Sequence, residues 1–141
     1  MARGLQGIIR FRRYQVDEAR RALGILLGHA VELERRAAAL EREIRDEQQA
    51  AAANPREAGF IYGPYAAQAI RRRSHLARAS AEVESNISRA QDEVRQEFRS
   101  LKVFEIAQEN RDIKELKEEE RVQQAILDEV GLQIRRRREG P

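Results

Sequence analysis

The chain has 141 residues, of which 36% are charged and 5% aromatic, with a formal net charge of +3 and no cysteine. That length bounds it to one domain, and the richness in Arg, Glu, Ala, Gln and Leu is the make-up of a coiled coil rather than of a compact globule or a disordered chain. The lack of cysteine excludes disulfides, thiolate metal sites and a cysteine nucleophile, and fits a reducing compartment.

The first predicted element is a helix over residues 5–52. Steps of four and three residues give Leu5, Ile9, Arg12, Val16, Ala19, Leu23, Leu26, Ala30, Leu33, Ala37, Leu40, Ile44, Glu47 and Ala51. Only Arg12 and Glu47 interrupt this apolar stripe. A repeat of 3.5 residues sustained this far means a narrow seam buried against another helix. At 1.5 Å per residue the helix is about 70 Å long. Such a rod has no interior for an enzyme pocket.

Beside the seam, Ile8, Phe11 and Tyr14 stand among Arg10, Arg12 and Arg13. Exposed aromatics next to arginines are common in binding hot spots, and packing on the other helix is the competing reading. Gly24 and Gly28, near Ile25 and Leu27, each cost about 1 kcal/mol in a helix interior. They read either as tolerated surface glycines or as a flat patch approached closely by another surface. The longest apolar run, 22–31, is far short of a bilayer span, and the arginines of the N-terminus do not suit a signal peptide. A soluble, cytoplasmic protein is the expectation.

Residues 53–63 are predicted to form a loop, because Asn54-Pro55 and Gly63-Pro64 carry helix-stopping chemistry. Phe60, Tyr62 and Tyr65 gather around it and either cap the seam or meet a partner. A second helix is predicted over 64–136, with Pro64 in its first turn. Its first turns overhang the shorter first helix or bend away as a short helix. Val83, Ile87, Ala90, Val94 and Leu101 keep one heptad frame. Ile106, Ile113, Leu116, Gln123, Leu127, Val130 and Ile134 keep another, so the spacing predicts a stutter between Phe98 and Ile106. A basic tail over 135–141 closes the chain.

The predicted fold is all-α: an antiparallel two-helix coiled-coil hairpin with a short aromatic-containing loop. A hairpin brings Arg10, Arg12 and Arg13 to the same end as Arg135, Arg136, Arg137 and Arg138. The expected result is a tip with an excess of about seven positive charges.

No residues announce catalysis. His29 and His75 lack a second ligand at helical spacing, the serines show no nucleophile elbow, and no phosphate loop occurs. No catalytic, metal or cofactor residues are assigned. The cationic clusters, including Arg71, Arg72 and Arg73, are able to neutralise phosphates. Without stacking aromatics on a sheet or a nucleic-acid fold, a protein-binding role fits them better, and no nucleic acid is expected.

Three stretches carry a resemblance: RFRRYQVDEARR (10–21), NPREAGFIYGPYAAQAIRRRSHL (54–76) and LDEVGL (127–132). On these the chain resembles the FliJ family, the small coiled-coil component of the flagellar type III export apparatus, in its alphaproteobacterial form. The resemblance covers essentially the whole chain, and its central aromatic segment is the most particular piece. It implies a two-helix coiled coil similar to the stalk of rotary ATPases, with no enzymatic activity of its own. It implies as partners the hexameric export ATPase (FliI-like), the cytoplasmic domain of the export gate (FlhA-like) and export chaperones. The location implied is cytoplasmic, at the base of the flagellar basal body, with membrane association only through partners. Arg10, Arg12, Arg13 and Tyr14 lie in the matching N-terminal stretch and would face the ATPase ring. Arg135 to Arg138 lie beyond the matched residues, so hairpin geometry and charge alone place them there. The rival readings are an injectisome stalk protein, a generic coiled-coil tether, and a basic nucleic-acid-binding rod.

Overall fold

The computed structural model describes residues 2–140, with the side chains of residues 2 and 3 left aside. After a short 3-10 turn, Ala2–Leu5, the chain consists of two helices: α1, Gln6–Ala53, and α2, Pro55–Glu139. Among the described residues there is no strand. The two long helices pack against each other as an antiparallel hairpin, as the heptad pattern predicts.

The chain divides into two units. One contains residues 16–96 and the other residues 1–15 together with 97–141. Both are helix pairs with a thin core. Val16, Leu40 and Ala69 are buried in the first unit, Ile9 and Leu101 in the second. Each fully buried aliphatic side chain of valine size or larger contributes about 1.5–3 kcal/mol, so stability is spread over many small layers.

The stripe of α1 is the buried face. Of its fourteen positions only Ala37 and Glu47 are exposed, and the rest are buried or half-buried. The covering face of α2 follows the same four-three steps. In the larger unit it comprises Ala58, Tyr62, Tyr65, Ala69, Leu76, Ser80, Val83, Ile87, Ala90 and Val94. In the other it continues through Glu97, Leu101, Phe104 and Gln108.

Three features differ from expectation. The predicted loop 53–63 is helical except at Asn54, which alone separates α1 from α2. Pro55 is the first residue of α2, a position where the missing N–H would be unbonded anyway. The Ala58 N–H then donates to the Asn54 carbonyl at 3.1 Å, closing the first turn, and Glu57 in that turn suits the helix dipole. Consequently Pro64 lies inside α2 rather than at its start. The inward side of this stretch carries Ala58, Tyr62 and Tyr65, all half-buried. That packing holds the backbone helical across a residue that removes one ladder bond.

The frame shift also has a different meaning from a stutter. The buried frame does not slip at Phe98, since Leu101, Phe104 and Gln108 extend it unchanged. Ile106 is instead 54% exposed and opens a stripe on another side of the helix. The new frame opens at Ile106 beside the paired region and continues from Ile113 where α1 gives out.

The overhang is therefore at the opposite end of α2 from the one predicted. Gly4 lies against Arg111, with 3.8 Å between an added Cβ and the guanidinium. Every described residue from Glu109 onward is exposed. About 28 residues of α2, over 112–139, run on without a partner helix, roughly 42 Å at 1.5 Å per residue. The predicted tail 135–141 is helical through Glu139, and Pro141 lies outside the described residues.

Candidate partner-binding surfaces

In the unit formed by residues 1–15 and 97–141, the N-terminal arginines fall into two kinds. Arg12 occupies a seam position and is half-buried. Its Nη1 lies 3.8 Å from the Glu97 carboxylate, whose side chain is only 18% exposed. The guanidinium carbon also lies 6.0 Å from the centre of the Phe11 ring and 5.7 Å from that of Phe104. Cation–π contacts of this kind suit a partly desolvated arginine. The expectation that Arg12 faces a partner is corrected: its head is engaged inside the pair, with Arg12 Nε and one Glu97 oxygen buried and without hydrogen bonds.

Arg10 and Arg13 are exposed, as are Phe11 (54%) and Tyr14 (57%). Ile8, Phe11 and Tyr14 recur every three residues, which places them along one side of α1. That side is off the seam, so these side chains are available to a partner while Arg12 is not.

The C-terminal arginines do not join them. Arg135 stands 24 positions beyond Arg111 along α2, about 36 Å along a straight helix. The single basic tip expected from hairpin topology does not form, because the two helices end at different levels. Arg135, Arg136, Arg137 and Arg138 are exposed on the lone end of α2. Between that run and the paired region lies an uncovered apolar face: Ile113 (45% exposed), Leu116 (56%), Leu127 (64%), Val130 (45%) and Ile134 (51%). At 100° per residue these five fall within one sector of the helix. Heptad periodicity marked these residues, but reading them as part of the hairpin core hid their exposure.

In the unit of residues 16–96, Arg71, Arg72 and Arg73 also divide. Arg72 donates to Glu43 at 2.8 Å, and Arg73 grips Glu41 through two bonds of 2.7 and 2.9 Å. Both are exposed pairs between the helices, which individually contribute about 0–1 kcal/mol. They orient the helices and leave those arginines less available to a partner. Arg71 borders a groove of about 870 Å³ together with Arg35, Arg36, Gln68 and His75, over Leu40 and Leu76.

Of the aromatics expected at the loop, Phe60 points to solvent at 89% exposure. Tyr62 and Tyr65 sit on the seam side with ring centres 6.4 Å apart. The Tyr65 hydroxyl is buried without a hydrogen bond. Its burial, and then the Glu43 and Glu47 carboxylates, push the phenol above its usual pKa. These two tyrosines close the seam near the turn, and Phe60 alone remains an outward contact. Gly24 and Gly28 are exposed, and an added Cβ at either meets nothing within 4 Å. Packing within the chain therefore places no demand for glycine there.

Among the described residues no group of three or more His, Asp or Glu side chains is arranged to hold a metal ion, and no helix is long and apolar enough to cross a membrane. Comparison with protein families, with curated proteins and with solved structures gave no match.

Proposed function

We propose that this chain is a non-enzymatic coupling protein of the flagellar type III export apparatus, whose lone C-terminal helix and N-terminal aromatic face engage the export ATPase ring. The observation that carries this reading is the unpaired end of α2, with five apolar residues uncovered on one side and four arginines at its end. A single long helix with an apolar stripe suits insertion between the helices of a larger partner. Clustered cations at its end give orientation and rapid encounter more than raw affinity. The resemblance to the FliJ family supplies the identity of the ring; the helix supplies the means. On this reading the paired region, including the groove beside Arg71, addresses the export gate and chaperones, and location at the flagellar base follows from those partners.

The test is binding to a purified export ATPase of the same cell, with the intact chain and three sets of variants. Arg10→Glu with Arg13→Glu, and Arg135 to Arg138 each →Glu, are expected to weaken binding and to reduce its sensitivity to salt. Leu127→Gln with Val130→Gln is expected to weaken it at every salt concentration. Unchanged binding across all three sets, or normal motility of a strain lacking the gene, would overturn the reading.

A further inference from the structure

The lone end of α2 carries two charge blocks in addition to its apolar stripe. Glu115, Glu118, Glu119 and Glu120 lie near its start, and Arg135, Arg136, Arg137 and Arg138 near its end. Leu127 sits close to midway between them. Glu118 is bonded to Arg121 at 2.7 Å within the helix, while Glu119, Glu120 and the four terminal arginines enter no ion pair among the described residues. In proteins most helical stability comes from covering an apolar face, and along this stretch that face is left uncovered.

We infer that this segment is an antiparallel self-association site, in which the stripe of one copy covers the stripe of a second. Antiparallel pairing about the neighbourhood of Leu127 sets the acidic block of each copy opposite the arginine run of the other. Parallel pairing instead sets four arginines against four and acid against acid, which disfavours it. The length suits the arrangement. Three to four heptads overlap, which is the reach of the unpaired residues, so each copy's paired region lies beyond the end of the other's α2. The apolar frame supports it too, because its members from Ile113 onward lie where α1 has given out, on a side of α2 that α1 does not use. Self-pairing covers the same face that the proposed partner would need, so the two associations exclude one another. The dimer is thus a form in which this face is protected.

Sedimentation equilibrium of the purified full-length chain, with no partner present, tests this. The expected result is a reversible monomer–dimer equilibrium that weakens as salt rises. Leu127→Gln with Val130→Gln should weaken it by about tenfold or more while leaving thermal unfolding of the hairpin unchanged, since both residues are exposed in the monomer. Orientation is read from Gly140→Cys, which introduces a single thiol into a chain without cysteine. Antiparallel copies hold residue 140 at opposite ends, about 30 Å or more apart, and form no disulfide on oxidation. A strictly monomeric chain overturns the inference. So does a dimer that salt strengthens and that the Gly140→Cys variant cross-links, which is the parallel arrangement. Because no ATPase is present, failure here leaves the proposed function standing, and failure of ATPase binding leaves the dimer standing.

Discussion

Arg12 and Glu97 meet at 3.8 Å where two apolar residues would complete the stripe. Neither gains full hydrogen bonding, and the interior oxygen and nitrogen are left without partners. A pair of this kind costs desolvation that its attraction barely offsets, and removing one member leaves the other charge uncompensated. Replacing both by leucine is expected to raise unfolding stability by about 1–3 kcal/mol, whereas Glu97→Leu alone lowers it. Urea denaturation of the two variants checks this; a double variant less stable than the unaltered chain would show the pair to be a net stabiliser.

Pro55 and Pro64 are chemically identical but sit at positions with opposite demands. Pro55 opens α2 and Pro64 interrupts its ladder. Pro64→Ala is expected to stabilise the chain by about 1–3 kcal/mol and to raise its Tm, because an interior proline costs about 3 kcal/mol. Pro55→Ala should be neutral or slightly destabilising. Equal effects at the two positions would mean that residues 55–63 are not helical in solution.

Gly24→Ala and Gly28→Ala should each add about 0.5–1 kcal/mol of stability, since both lie in a helix interior with open space around them. A thermal melt of each variant measures it. If the same variants impair partner binding while melting higher, the flat surface at these glycines is a contact site rather than tolerated sequence.

Glu32 accepts from Arg35 Nη2 at 2.6 Å and Nε at 2.9 Å, and from Arg36 Nε at 3.2 Å. The Arg35 bonds first, and the Arg36 bond after them, lower its pKa from 4.5 to about 2. A depressed carboxylate pKa contributes stability that is present in full above about pH 4.5 and is lost as pH falls through about 2. Carbon-13 titration of the Glu32 carboxyl should find its midpoint near 2. A midpoint near 4.5 would show that the exposed arginines do not hold it in solution.

The hairpin, its antiparallel sense and nearly every seam position of α1 were legible in the heptad pattern. Burial of a narrow face imposes that pattern directly on the sequence. The turn was not legible, because Pro and Gly signal a loop and a helix N-terminus alike, and only packing of Tyr62 and Tyr65 distinguishes the two. Arg12 was visible both as a break in the stripe and as a surface arginine, and its position in the seam decided for the first. The basic tip failed for a simpler reason. Topology predicts which ends approach, but the level at which each helix stops depends on its length. The turn holds one end of each helix together, so the 85 residues of α2 outrun the 48 of α1 and the difference appears at the far end.

With Asn54 as the whole of the connection, the turn holds no slack to absorb a change of chain length. One residue added or lost within α2 rotates everything beyond it by about 100° and carries the apolar positions off the seam. Changes of about seven residues restore the face, and changes of about three or four nearly do. Length variation in this protein should therefore come in heptad-sized steps. The single asparagine makes the spacing of the helices an inherited dimension, as closely constrained as any side chain in the core.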